Sequence, residues 1–392
     1  MSEVVLNDIC ELIVDCPHST AYDEGTGYPL VRTPNIGRGR IIYSGMHRVC
    51  EEVYNKRNAR AIPQTNDLIF AREATAGNVA LIQEGEKVCL GQRTVLIRPN
   101  ANLVNPAFLT YHLLAPEQQY KLLSTANGAT VAHVNMPTIR NLKLSLPPLA
   151  TQHRIATILS RYDSLIENYQ KQIKLLEEAA QRLYKEWFVD LHFPGHETTK
   201  IVDGVPEGWE KKPISQLGEY LNGFAFKPSD WQDSGKPIIK IKEMGNGVSN
   251  DTPRNNGERV PVKYLVKAGD LLFSWSATLM VIVWSGEEGW LNQHLFKVTP
   301  AKGIGREFLL QSISNTIEVF QNLTTGSTMK HIQRNKLDQV FINVPDEEIM
   351  TSYNYLAERM RNQILHFSSQ IRLLTEARDR LLPKLISGEI EI

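Results

Sequence analysis

Two stretches of this 392-residue chain repeat each other at a fixed distance. The segment NGATVAHVNMPTIRNLKLSLP, which ends at Pro147, matches TGSTMKHIQRNKLDQVFINVP, which ends at Pro345, and the matched positions differ by 198. The same offset continues without a gap into QIKLLEEA from Gln172 and QIRLLTEA from Gln370. A fixed period is the signature of duplicated structural units, so the chain is predicted to contain two copies of one unit of about 200 residues.

The front of each copy varies more than its back. DLIFAREAT from Asp67 resembles DLLFSWSAT from Asp270 at an offset of 203, and Leu90-Gly-Gln resembles Leu291-Asn-Gln at an offset of 201. Small insertions therefore fall in the front, where loops are expected to tolerate them. A long helix explains why the C-terminal part of each copy keeps a constant length. Each inserted residue would rotate the rest of the helix by about 100° and move its apolar positions off the buried face.

An apolar heptad seam supports that helix. In the first copy its positions are Ile155, Leu159, Tyr162, Ile166, Tyr169, Ile173, Leu176, Ala180, Leu183 and Trp187. The positions 198 later are Tyr353, Ala357, Met360, Ile364, Phe367, Ile371, Leu374, Arg378, Leu381 and Leu385. Only Arg378 interrupts the apolar pattern, which is typical of a coiled coil. The first helix would form a rod of about 55 Å.

The repeat divides the chain into five predicted segments. These are a front region at 1–147, a central long helix at 148–192, a linker at 193–204, a second front region at 205–345 and a C-terminal long helix at 346–392. Pro383 and Gly388 are expected to mark the end of the last helix. Short apolar runs and one capped helix occur in the same order in both front regions, which indicates mixed α/β folds within an α+β chain.

Composition excludes several classes of protein. Lys and Arg total 43, Asp and Glu also total 43, and no apolar run reaches the roughly 18 residues of a membrane span. The first residues lack the pattern of a signal peptide, so a soluble cytoplasmic protein is expected. None of the four cysteines forms a C-x-x-C pair, which predicts small buried thiols in place of a zinc site or disulfides.

No catalytic motif stands out. The chain lacks a phosphate-binding G-x-x-x-x-G-K-[ST] loop, an H-E-x-x-H helix and a G-x-S-x-G elbow. It also lacks the Asn- or Asp-Pro-Pro-aromatic tetrapeptide of amino-methyltransferases. Asp346 and Glu347 superficially resemble a nuclease cluster, but acidic residues at a helix start simply complement the helix dipole. The histidines occur singly, so no metal site is predicted.

Acid-free basic windows are the main functional signal. They run from Gly25 to Val49 and from Gln118 to Tyr162, and the second copy has a short counterpart in TTGSTMKHIQRNK. Cations beside Gly and Thr can bind phosphate, and Arg and Asn suit base edges in a major groove. An ordinary solvated face would look similar. The candidate DNA-contacting residues are Arg32, Asn35, Arg38, Arg40, Arg72, Gly128, Thr130, His133, Lys240, Lys242, Asn246, Gly326, Thr328, Lys330, His331 and Arg334.

The central region resembles a known family. The segment LPPLATQHRIATILSRYDSLIENYQKQIKLLEEAAQRLYKEWF from Leu146, the G-[AS]-T-x-x-H loop before it and the PEGW that opens the second half are similar to the specificity (S) subunit of type I restriction-modification systems. The likeness covers essentially the whole chain. It departs at PDEEIMTSYNYLAE, where the start of the second helix lacks the proline-leucine and Gln-x-x-Ile elements.

The resemblance implies a role and partners. Such subunits carry two target-recognition domains, each reading half of a split sequence in double-stranded DNA, joined by two long helices that pack antiparallel. They have no catalytic residues and no cofactor of their own. Two methyltransferase subunits dock on them to methylate adenine N6 from S-adenosylmethionine, and two motor-nuclease subunits can join. The helices would space the two readers by about one DNA turn, 34–36 Å.

Two other interpretations stay open at this point. A coiled-coil scaffold or interaction protein without DNA readout would explain the helices but not the paired acid-free loops. An enzyme with an unrecognised site would need activity that none of the familiar motifs indicates.

Overall fold

The computed structural model describes residues 2–124, 133–323 and 334–392. The chain forms two compact units. The first unit contains residues 1–165 and 374–392, and the second contains residues 166–373. Each unit therefore combines one front region with parts of both long helices.

In the described residues of the first unit, nine strands and four short α-helices precede the central long helix. The strands are β1 (Ser2–Val5), β2 (Cys10–Asp15), β3 (Tyr28–Val31), β4 (His47–Val49), β5 (Leu68–Ala71), β6 (Val79–Leu81), β7 (Cys89–Leu90), β8 (Thr94–Pro99) and β9 (Lys143–Leu146). The helices are α1 (Glu51–Arg57), α2 (Pro106–Leu114), α3 (Pro116–Ser124), α4 (Met136–Arg140) and the long α5 (Leu149–Tyr184), whose last part belongs to the second unit.

Two sheets and a helical layer build this unit. Strands β2, β8, β5 and β6 form an antiparallel sheet in that order, and β3 lies between antiparallel β4 and parallel β7 in a second sheet. All four residues of β5 are buried, because the strand has cores on both faces. Leu68 and Phe70 pack with the helices, whereas Ile69 and Ala71 pack with the core of the second sheet. Such double burial explains the continuous apolar run in the sequence.

The second unit repeats this arrangement. Its strands are β10 (Ile201–Val202), β11 (Val205–Pro206), β12 (Glu210–Pro213), β13 (Gly218–Asn222), β14 (Lys236–Ile239), β15 (Arg254–Asn255), β16 (Leu265–Val266), β17 (Leu271–Ser274), β18 (Met280–Val283), β19 (Gly289–Leu291), β20 (Leu295–Pro300) and β21 (Phe341–Val344). Its helices are α6 (Ile241–Asn246), α7 (Arg306–Leu323) and the long α8 (Glu347–Ser387), which ends in the first unit.

Strand order confirms the duplication seen in the sequence. The sheet β13-β20-β17-β18 has the order of β2-β8-β5-β6, and β14 pairs in parallel with β19 as β3 does with β7. The strand pair β12–β21 likewise corresponds to β1–β9. In β17, Leu271 and Phe273 pack with the helices, and Leu272 packs with the other core, as in β5. Each unit therefore contains one copy of the repeated α+β fold.

The long helices pack antiparallel. In the second unit Tyr169 stacks on Phe367 with ring centroids 4.8 Å apart, while Tyr184 lies against Tyr353 at 6.4 Å. Residues further along α5 therefore contact residues earlier in α8, which is the pattern of antiparallel helices. Tyr169 and Phe367 are also equivalent positions of the repeat at the offset of 198.

The predicted seam positions are all buried or half-buried on these helices. Their burial is deepest where the helices enter the two cores, as at Ile155 and Leu159 in the first unit and Tyr353 and Ala357 in the second. Arg378, which interrupts the apolar pattern, is held in the first unit by an ion pair with Asp163, with 2.6 Å between Nη1 and Oδ1.

The helix ends differ from the predicted ones. Helix α5 begins at Leu149 and continues beyond Tyr184 as one π-helical segment, Lys185–Val189. The expectation that Pro383 marks the end of the last helix was wrong, because α8 includes it and runs to Ser387. A proline removes one N–H donor from the helix, and here only one further turn follows it. Gly388, with a φ of 78°, adopts the left-handed conformation typical of a helix C-terminus.

Phe308→Ala should destabilise the second unit by about 3–5 kcal/mol, because it leaves a cavity among tightly packed rings. Phe308 is fully buried and lies edge-on to Phe188 with ring centroids 5.0 Å apart. Urea unfolding followed by tryptophan fluorescence would measure the loss. Val262→Ala, at a side chain that is 76% exposed, is the control. Equal unfolding midpoints for the two variants would contradict this packing.

Candidate nucleic-acid interface

An acid-free cleft of about 380 Å³ lies in the front region of the first unit. It is lined by Thr20, Ala21, Leu30, Arg32, Thr33, Pro34, Arg57, Gly91, Gln92 and Arg93. Strand β3 leads into Arg32, α1 supplies Arg57, and the turn after β7 supplies Gln92 and Arg93. Gly91 permits this arrangement, because a Cβ there would lie 2.8 Å from the Val31 carbonyl oxygen.

Arg32 has unused hydrogen-bonding capacity in this cleft. Its Nη2 donates to the Gly45 carbonyl at 3.2 Å, but its buried Nε makes no hydrogen bond to a described residue. Among the ion pairs of the described residues, none involves Arg32. A buried N–H on a cation needs an acceptor, and an incoming phosphate or base edge would supply one.

Arg57 adds a second positive charge to the lining of the cleft. The side chain is buried, and it donates from Nε to the Leu90 carbonyl at 2.6 Å and from Nη1 to the Ser19 carbonyl at 2.9 Å. Carbonyl oxygens satisfy its donors without neutralising its charge. Burial lowers the pKa of the Arg57 guanidinium, which nevertheless remains a cation at neutral pH. The cleft therefore presents a positive potential suited to an anion.

The third arginine of the cleft is already paired. Arg93 forms an ion pair with Glu73, which also accepts from or shares a proton with Nδ1 of His133 at 2.6 Å. On its other ring nitrogen, His133 lies 2.9 Å from Nη2 of Arg72. Arg72 is buried and binds Asp15 at 2.8 Å. These side chains form a charge-compensated network that fixes the residues after the end of β5.

Two of the residues predicted to contact DNA make their polar contacts within the domain in this structure. Arg72 is buried in the ion pair with Asp15, so it braces the domain and does not reach the surface. Asn35 is also buried, and its side-chain amide is used within its own loop: Oδ1 accepts from the Arg32 N–H at 3.2 Å, and Nδ2 donates to the Ile42 carbonyl at 3.1 Å. Asn35 shapes the turn that presents Arg32, and in this conformation it cannot contact a base.

The other candidates of this loop lie nearer the surface. Arg38 is exposed and donates from Nη2 to the Leu114 carbonyl at 3.0 Å. Arg40 is half-buried and acts electrostatically on Tyr111. The structure thus brings together Arg32 with Arg57, and Arg72 with His133, as two separate groups.

The second unit presents different chemistry at the matching place. Lys240 lies over the ring of Trp231, with Nζ 4.6 Å from the centroid, and caps α6. Lys242 forms an ion pair with Asp251 at 2.5 Å, while Asn246 ends α6 and is exposed. A cation on an aromatic face beside a neutralised lysine is less electropositive than the arginine cleft. The two units would therefore favour different ligand surfaces.

Several candidates lie outside the described residues. They are Gly128, Thr130, Gly326, Thr328, Lys330 and His331. Arg334 begins a short 3-10 helix that runs to Gln339.

Sequence reasoning missed Arg57 and underused the residues after β7. Arg57 stands in EEVYNKR, where neighbouring acids hide it from a search for acid-free windows, although no carboxylate pairs with it among the described ion pairs. The matching of Leu90-Gly-Gln with Leu291-Asn-Gln was a signal that could have drawn attention to Gln92.

Other kinds of site find little support. Within the part of the chain that the structure describes, no group of three His, Cys, Asp or Glu side chains could hold a metal ion. Cys16 and Cys89 are buried as predicted, whereas Cys50 is exposed because it directly precedes the surface helix α1. Burial raises the pKa of the Cys89 thiol to about 11. Across residues 2–124, 133–323 and 334–392, no helix is long and apolar enough to cross a membrane.

Two α+β domains in tandem, each continued by a long helix of an antiparallel pair, define a two-domain recognition scaffold. Residues 1–178 and 206–366 each match the Type I restriction modification DNA specificity domain. These matches cover most of the chain, which therefore belongs to this family of DNA specificity proteins. Its role is to recognise DNA, and the enzymatic activity resides in partner subunits.

Known relatives agree with this assignment. The Type I restriction enzyme MjaIX specificity subunit of Methanocaldococcus jannaschii is 24% identical, with 99% of this chain and 93% of the relative covered. The HindI specificity subunit of Haemophilus influenzae is 25% identical over 76% of this chain and 80% of the relative. The crystal structure of a type I S subunit from M. genitalium has a similar fold, with a TM-score of 0.56 at 13% identity, covering 98% and 95% of the two chains.

Arg32→Gln should weaken DNA binding for all sequences alike if the cleft holds a phosphate. The logarithmic salt dependence of binding should fall by about 1, because one fewer counterion is released. Fluorescence anisotropy of the chain in complex with its methyltransferase, over a series of salt concentrations, measures this slope. Lys174→Gln, at a 78% exposed side chain on α5, is the control. An unchanged slope for Arg32→Gln would remove the cleft from the interface.

Proposed function

We propose that this chain reads a two-part sequence in double-stranded DNA and positions two adenine-N6 methyltransferase subunits on it. The observation that carries this proposal is the pair of specificity-domain matches in one chain, each followed by a long helix. One domain would read each half-site, and the helices would fix the length of the unread gap between them. The chain would act in the cytoplasm, where its DNA is accessible.

Partner subunits would supply the chemistry. S-adenosylmethionine would be bound by the methyltransferase and not by this chain. Motor-nuclease subunits, two per complex, would join for restriction. The relatives named above as restriction-enzyme specificity subunits support this set of partners.

The difference between the two surfaces supports two different half-sites. The first domain offers guanidinium groups in an acid-free cleft, and the second offers Lys240 on Trp231 together with the exposed Asn246. Arginine suits guanine or phosphate, whereas asparagine suits adenine. An asymmetric two-part target is expected from such a pair.

Mapping of N6-methyladenine tests this function directly. The chain would be co-expressed with the methyltransferase of its own system in a host that lacks both, and the genome would be read by single-molecule sequencing. We expect a two-part motif with a gap of fixed length. No new methylation, despite a stable complex verified by gel filtration, would indicate a scaffold without DNA readout.

Lengthening both helices should lengthen the gap. Seven residues added after Tyr169 and seven after Phe367 preserve the heptad seam and extend the helix pair by about 10.5 Å. The gap in the methylated motif should grow by about three base pairs, given 3.4 Å per base pair, while both half-sites stay the same. Seven residues added beside the exposed Thr198, outside the helices, are the control. An unchanged gap in the lengthened protein would contradict the spacer role.

A further inference from the structure

Charged side chains at the contact between the long helices have opposite signs on α5 and α8. In the first unit, Asp163 of α5 is buried and accepts from Nη1 of Arg378 on α8 at 2.6 Å. Tyr111 of α2 donates to the same carboxylate at 2.5 Å. Arg378 has a second, exposed partner in Asp379 at 2.8 Å. The acid thus belongs to the first long helix and the base to the second.

The second unit has a related polar contact. Arg361 of α8 is buried, and its Nε donates to Glu307 of α7 at 2.8 Å. Gln311, which also lies on α7, donates to the Glu307 carboxylate at 2.9 Å. Glu177 of α5 lines one cleft with Arg361 and interacts with it electrostatically. Here too, α5 contributes an acid and α8 contributes a base.

The repeat makes these residues counterparts of one another. Asp163 and Arg361 are equivalent positions at the offset of 198, and Arg378 is equivalent to Ala180, which lies one turn beyond Glu177. The two helices therefore share one apolar seam but differ in the charges that lie along it. At the equivalent positions Asp163 and Arg361 the charges are opposite, whereas Arg378 stands where α5 has the uncharged Ala180.

We propose that this charge pattern makes the two halves of the chain pair with each other and not with second copies of themselves. Two first halves would bring Asp163 next to Glu177, so that the buried carboxylate loses Arg378 and gains an acid. Two second halves would bring Arg378 next to Arg361. Glu307 is already bound to Arg361, so it would not replace Asp163 as the partner of Arg378. Both copy-to-copy pairings leave a buried charge without its partner, which strongly disfavours them.

During synthesis the first long helix is made well before the second, so its apolar seam is exposed to other chains. Helix α5 and its extension end at Val189, whereas α8 begins at Glu347, more than 150 residues later. At 5–20 residues per second, the first seam waits roughly ten to thirty seconds for its partner. During this time neighbouring nascent chains expose the same apolar seam. An acid at the edge of that seam disfavours their premature pairing.

Limited cleavage of the whole protein allows a test. A protease site placed between Glu197 and Thr198, in an exposed segment, would be cut after the full-length protein has been purified. Mixing of the cut protein with a ¹⁵N-labelled sample in low urea then permits the halves to exchange. Native mass spectrometry counts three species: one first half with one second half, two first halves, and two second halves.

The decisive variant is Arg378→Glu, with Arg380→Glu as its control. Arg380 lies two residues further on α8 and is 79% exposed. The wild type and the control should yield only mixed pairs. The glutamate at position 378 opposes Asp163 but attracts Arg361 of another second half. Pairs of two second halves should therefore rise by roughly tenfold or more, and pairs of two first halves should not exceed them.

Asp163→Arg combined with Arg378→Glu covers the case in which the single variant fails to fold. This double variant restores an ion pair of reversed polarity between the two halves, so the mixed pair should be stable. Its second halves should still associate with each other, and its first halves should now do so as well, because the new arginine at position 163 would meet Glu177 of another first half. If neither variant increases pairs of second halves above the Arg380→Glu control, the charges do not select the partner and the proposal is wrong. The readout requires no DNA or methylation, so it is independent of the proposed function.

Discussion

The pairing of α5 with α8 is the interaction on which the rest of the structure depends. The core of the first unit includes Ile155 from α5 and Leu385 from α8, and the core of the second includes Tyr184 from α5 and Tyr353 from α8. Each front region therefore completes its core with residues from both helices. Because burial of apolar surface is the main favourable term in folding, neither half of the sequence contains a whole core of its own.

Apolar packing alone would not determine how these helices align. A heptad seam can shift by seven residues and still bury apolar side chains, so its register needs residues that fit in only one alignment. Tyr169 on Phe367 and Asp163 with Arg378 are such residues. Removal of one partner from a buried ion pair costs about 3–5 kcal/mol, so a slip that separates Asp163 from Arg378 is disfavoured.

The repeat and its heptad seam made the two long helices predictable, but not the pairing of the strands or the side-chain partners. The role of Arg378 could not be read from the sequence, because Asp163 lies 215 positions away. The acid-free windows likewise contain no information about burial. Asn35 lies within one of them but is buried in its own turn, whereas Arg57 lies outside them but lines the cleft. Burial and charge compensation depend on residues from distant strands, so local composition identified a basic loop but not which of its side chains are buried.

The division between constant helices and variable loops explains why one chain holds both copies. The four-stranded sheets repeat with the same strand order, so the contrast between the arginine cleft and Lys240 on Trp231 arises from side chains outside the strands. A symmetric dimer of identical halves could present only one such surface twice. Once the two copies are joined, each loop set can change independently, while the helices must keep their length and their complementary charges. Divergence in recognition and conservation of spacing therefore follow from the same architecture.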